Sequence, residues 1–160
     1  MPTKRIKDYL DNNKIKYAVL NHPATYTAQE TAQSAHVSGK DMAKTVIVKM
    51  DGQTAMVVLP ASYKINLGFL QEITGSEDIR LATEEEFRNI FPDCEMGAMP
   101  PLGNLYSVDV YVARRLVEDE EIAFNAGNHR ELIKMKYKDY DRLVRPLIFD
   151  LTYEPFKAID

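Results

Sequence analysis

The sequence is poor in the residues that most directly announce chemistry. It holds one cysteine, Cys94, so no internal disulfide can form, and a reducing, cytoplasmic setting is expected. Its three histidines, His22, His36 and His129, stand far apart, with no His-x-x-x-His or Cys-x-x-Cys pair. No metal site and no cofactor are therefore expected. No apolar run approaches the ~18 residues of a membrane span. The opening Met1-Pro2-Thr3-Lys4-Arg5-Ile6 lacks the apolar stretch of a signal peptide. Neither Gly-x-Gly-x-x-Gly nor a P-loop occurs, so the usual nucleotide folds lack their signature. No Gly-x-Ser-x-Gly elbow marks a serine hydrolase. Acidic residues outnumber basic ones, 24 to 20, for a net charge of −4. That argues against broad, non-specific nucleic-acid binding and leaves room for a local basic patch.

What is present suits one soluble domain spanning 1–160. The composition is 45% hydrophobic and 28% charged, near ordinary globular values. Ile6, Tyr9 and Leu10 predict a helix from Thr3 to about Asn13. Lys16 to Leu20 reads as a short strand. Thr27-Ala28-Gln29-Glu30 has capping-box spacing and predicts a helix from Ala28 to about His36. Two apolar runs, Thr45 to Met50 and Thr54 to Leu59, flank Asp51-Gly52 as a hairpin. Asn66 to Glu72 looks helical, and Thr83-Glu84-Glu85-Glu86 predicts a capped helix to about Ile90. Strands are expected at Ser107 to Ala113, Glu121 to Asn125 and Leu132 to Met135. Tyr137 to Val144 predicts a short helix, and the apolar tail from Leu147 should dock on the body. Helices interleaved with hairpins favour a mixed α/β domain around one curved, largely antiparallel central sheet.

Four stretches are candidates for chemistry. Lys44 stands at the mouth of the Thr45-Val46-Ile47-Val48 strand. Alone, it reads as a solvated strand-end charge. Glu95-Met96-Gly97-Ala98-Met99-Pro100-Pro101-Leu102-Gly103 brackets a Pro-Pro pair with glycines. It reads either as a rigid connector or as a loop whose backbone N–H groups face a ligand. Gly127-Asn128-His129 is a positive-φ turn whose histidine is either superficial or functional. Arg130, Lys134, Lys136, Lys138, Arg142 and Arg145 form a basic stretch, with Lys134, Lys136 and Arg130 on one strand face by period-two spacing. Cys94 is flanked by Asp93 and Glu95, which disfavour a thiolate.

Together, His22-Pro23 with Thr27, Ala43-Lys44-Thr45, the Gly97–Gly103 loop and Ala126-Gly127-Asn128-His129 resemble the YbaK family, the prolyl-tRNA synthetase editing-domain family. The resemblance spans about His22 to Pro146 and implies a mixed α/β fold. It implies hydrolysis of the ester of wrongly charged tRNA, without a metal, by a freestanding enzyme. Lys44, Gly97 and Ala98 then take catalytic roles, Lys44 offsetting negative charge and the two backbone N–H groups receiving the carbonyl oxygen. Pro101, Gly127, Asn128, His129, Tyr26, Thr45 and Met99 line the substrate. The partner is the acceptor end of aminoacyl-tRNA, with a synthetase as a further one. A non-catalytic module that binds aminoacyl-tRNA or a synthetase is the rival reading, and hydrolysis of a small aminoacyl ester is a third.

Overall fold

A computed structural model describes residues 2–23, 41–150 and 152–153. The helix expected at Ala28–His36 and the candidate Tyr26 lie outside those residues. Helix α1 (Pro2–Asn12) places Ile6 and Leu10 on one face, and both are fully buried. Each such side chain is worth roughly 1.5–3 kcal/mol of burial. Strand β1 (Tyr17–Asn21) follows.

Strands β2 (Ala43–Met50) and β3 (Gln53–Pro60) pair antiparallel from Ala43↔Pro60 to Met50↔Gln53. Their turn is Asp51-Gly52, with φ of 50° and 82°, as a two-residue hairpin of this hand requires. Asp51 Oδ1 also accepts the N–H groups of Glu77 (3.0 Å) and Asp78 (2.8 Å), which fixes the chain before the next edge strand. After β4 (Lys64–Ile65), helix α2 (Leu67–Thr74) is capped by the Asn66 side chain and ends at Gly75 with φ 70°.

Strand β5 (Ile79–Leu81) leads to α3 (Glu84–Phe87). The capping box forms, with Thr83 and Glu86 bonding reciprocally. The helix stops short of Ile90 because Ile90 N–H bonds back three residues to Phe87 O and the chain sinks Phe91 into the core before Pro92. Strand β6 (Asp109–Ala113) starts two residues later than expected, since Ser107 adopts φ 57°, outside strand geometry.

A single turn, α4 (Arg114–Val117), precedes β7 (Glu121–Asn125), β8 (Glu131–Lys136) and α5 (Tyr137–Val144). The tail docks as anticipated as far as it is described. Strand β9 (Leu147–Phe149) runs parallel to β6, and β10 (Thr152–Tyr153) pairs with β4.

The architecture is mixed α/β, as expected. Its strands fall into a five-stranded sheet β5-β2-β3-β6-β9, a three-stranded sheet β1-β8-β7 and the β10-β4 pair. The β3-β6 and β6-β9 pairs are parallel and the other neighbours antiparallel. The expected single curved sheet is thus divided. The two larger sheets join where Met42 and Ala123 form a parallel bridge, with Ala123 N–H donating to Asp41 O at 3.1 Å. The main core lies on one face of each, filled by Ile47, Met56, Phe91, Phe124, Ile133 and Tyr140 with α1. A smaller cluster, with Leu70 of α2, covers the other face of the five-stranded sheet.

Candidate functional site

The Gly97 loop and the Gly127 turn are held together by a ring of hydrogen bonds. Glu95 N–H donates to Gly127 O, and Gly127 N–H donates to Ala98 O, both at 2.9 Å. Gly97 and Gly127 adopt φ of 85° and 90°, which other residues reach only with strain. The Asn128 side-chain oxygen accepts the N–H groups of Arg130 and Glu131, each at 2.9 Å, and so builds the turn that aims His129. His129 N–H donates to the Glu95 carboxylate (3.2 Å), and its Nε2–H donates to Met96 O (2.7 Å). A Cβ on Gly97 would stand 3.4 Å from His129 Cε1. His129 is therefore a clamp across the loop. Glu95, which carried no assigned role in the sequence, is the other jaw. Its position at the head of the loop was the only signal.

Several of the expected roles are altered by this geometry. Ala98 is fully buried and its N–H donates to Glu95 O at 3.1 Å, so it is not a standing donor for a substrate carbonyl. Gly97 is exposed, and among the described residues its N–H has no acceptor. Pro101 and Met99 are buried in the core side of the loop. Pro101 O accepts the hydroxyl of the buried Tyr140 at 2.7 Å, while Met99 packs in the main core. Both residues brace the loop from behind.

Lys44 is half-buried on β2, opposite Leu59. Burial lowers its pKa below the usual lysine value, and the nearby Lys64 adds to that. Among the described residues no carboxylate forms an ion pair with it. A half-desolvated cation beside a second cation favours an anion from outside.

Strand β7 links Lys44 to the two loops. Its Ala123 bridges Met42, two residues before Lys44, and its end runs through Asn125 to Gly127. Asn125 is 8% exposed and its Oδ1 has no hydrogen-bond partner among the described residues. Thr45 Oγ1, on the strand residue after Lys44, is likewise buried without a partner. Unsatisfied buried oxygens of this kind are uncommon. In the sequence Asn125 reads as the last residue of an ordinary strand, and nothing there singles it out.

The surroundings remove some chemistries. Burial, with the Asp93 carboxylate beside it, pushes the Cys94 thiol up to about 11, so it is no thiolate nucleophile. Among the described residues no three His, Cys, Asp or Glu side chains gather as a metal site, and no helix is long and apolar enough to cross a membrane. Outside the clamp, a groove of about 570 Å³ is lined by Asp93, Cys94, Glu95, Asn128, Arg130 and Glu131, among others. Arg130 thus belongs with this groove, on the side where Lys7 of α1 pairs with Glu131 (3.7 Å).

Comparison with known proteins follows the same outline. The chain is similar over 157 residues, at 25% identity, to the prolyl-tRNA editing protein ProX of Acetoanaerobium sticklandii, covering 94% of this chain and 92% of that protein. It is 26% identical over 105 residues to the proline–tRNA ligase of Macrococcus caseolyticus, covering 66% of this chain and only 18% of the ligase. Two crystal structures share the fold. One, a "putative trans-editing enzyme for prolyl tRNA synthetase", has a TM-score of 0.82 at 23% identity and covers 95% of this chain and 97% of its own. The other, the hypothetical protein APE2540, has a TM-score of 0.83 at 21% identity and covers 92% and 99%. The family model described as the aminoacyl-tRNA editing domain matches residues 22–143, and the chain belongs to that family.

Proposed function

We propose that the chain is a deacylase acting in trans, which hydrolyses the ester between an amino acid and the end of a wrongly charged tRNA. The observation that carries this reading is Lys44. It is a half-buried ammonium with no carboxylate partner among the described residues, placed one strand away from the Gly97 and Gly127 loops. The similarity to ProX along nearly the whole chain supports action as a separate protein on tRNA charged by prolyl-tRNA synthetase.

An aminoacyl ester is already activated, so a held water and a stabilised oxyanion suffice. Water adds to the ester carbonyl, the bond to the ribose oxygen breaks, and the amino acid leaves while the ribose regains its hydroxyl. Lys44 offsets the charge of the terminal phosphate or of the oxyanion. Gly97 N–H is the available backbone donor, held in direction by the His129 clamp. Asn125 Oδ1 is an acceptor suited to the substrate's amino group. No thiolate, metal or strong base is assigned to this reaction; the ribose hydroxyl beside the ester assists attack.

The test is turnover. Purified protein at catalytic amounts is mixed with a panel of tRNAs, correctly and wrongly charged, and free amino acid is measured. Release of many equivalents from at least one mischarged tRNA supports the reading. Tight tRNA binding with no release from any of them overturns it in favour of a binding module.

A further inference from the structure

The outer face of the three-stranded sheet carries a row of lysines that leads away from the Lys44 site. The antiparallel register sets Lys134 between Ala18 of β1 and Ala123 of β7, and Lys136 opposite Glu121. Lys16 immediately precedes β1, and the same register brings it beside Lys136. Period-two alternation puts Lys134 and Lys136 on the face whose other end carries Leu132, Ala123 and Asn125, which are buried where this face meets Met42, so the exposed stretch of the row begins at Lys134. The opposite face, with Ile122, Phe124, Ile133 and Met135, is in the main core. Ala18, Lys16 and Lys136 are exposed and Lys134 partly so. Near its upper end this face meets β2 at Met42, two residues from Lys44.

We propose that this lysine row is the track on which the phosphate chain of the tRNA acceptor strand lies. The inference rests on the deacylase reading and adds the surface by which the nucleic acid is held. The step from Asn125, opposite Leu132, to Lys136 is four residues of strand, about 13 Å. That equals about four stacked nucleotides at roughly 3.4 Å each. A single strand with its ester end at Lys44 therefore runs its phosphates over Lys134 and then over Lys136 and Lys16. The chain as a whole is acidic, so binding of a polyanion needs such a local path. Glu121 does not cancel it. Its contact with Lys134 is long (3.9 Å) and exposed, and such pairs hold little energy against a competing phosphate.

The experiment measures binding of uncharged tRNA as a function of salt, for the wild type, Lys136→Ala, the triple variant Lys16→Ala/Lys134→Ala/Lys136→Ala, and Lys4→Ala as a control on exposed α1. Each lysine on the track should lower the slope of log K against log salt by about one. The triple variant should bind about tenfold or more weakly near 0.1 M salt, and its arginine counterpart should regain both affinity and slope. Lys4→Ala should match the wild type. A triple variant with the wild-type slope, or a Lys4→Ala loss equal to that of Lys136→Ala, overturns the track. Because binding is read without turnover, a wild type that binds tRNA along this face but releases no amino acid refutes the deacylase reading and leaves the track standing.

Discussion

At the scale of single residues, the site combines a cation that the fold destabilises with a glycine that the fold requires. Lys44 has a lowered pKa because folding strips water from its ammonium. Between its folded and unfolded values the unfolded chain holds more protons, so this residue makes stability rise with pH across that window. Lys44→Met removes the penalty. The variant should melt at or above the wild-type temperature at neutral pH, and its advantage should shrink as pH nears the ordinary lysine value. Thermal melts across pH check this, and a variant that melts well below wild type at neutral pH contradicts it. Gly97→Ala tests the clamp. Alanine at φ 85° costs about 1–2 kcal/mol, and its Cβ would lie in van der Waals contact with the His129 ring. Deacylation kcat should fall roughly tenfold or more while tRNA affinity stays within about twofold. Equal losses in both would point to general unfolding.

At the scale of elements, local chemistry made much of the fold legible. The Asp51-Gly52 turn, the Thr83–Glu86 capping box, α5 and the β7 strand all form where their residues place them. The misses have local causes: α3 ends early because Phe91 is needed in the core, and β6 starts late because Ser107 is left-handed. The capping box gives a clean stability test. Thr83→Ala should cost about 1 kcal/mol in chemical denaturation. The Arg80–Glu86 hydrogen bond and the Thr83 N–H hold the Glu86 carboxyl down at about 2, so the box stays intact through the mildly acidic range. A second test concerns how the loop is braced. Tyr140→Phe strips the hydroxyl from Pro101 O in a fully buried place and should cost about 1–2 kcal/mol. Unchanged stability would mean that the Gly97 loop is held by the clamp alone.

At the scale of the molecule, the site was only partly legible. Gly97 and Gly127 could be picked out because positive φ favours glycine, and their direct contact through Ala98 O and Glu95 N–H agrees with the set of motifs. Asn125 and Glu95 could not be picked out, since the burial of Asn125 follows from tertiary packing and the role of Glu95 depends on His129, 34 residues away. The N–H of Ala98 could not be seen to be occupied, because a turn's internal bonds follow from its backbone path rather than from its composition. The division of the sheet was hidden for the same reason. Nothing in the strand sequences announces that β2 and β7 meet at the Met42–Ala123 bridge. That bridge joins the lysine to the two loops, and the central claim is that they act on one substrate. The most direct measurement is multiple-turnover deacylation of a mischarged tRNA panel with wild type and Lys44→Met side by side. The account predicts release of amino acid by the wild type and at least hundredfold slower release by the variant, which stays folded. Equal release by both would contradict it.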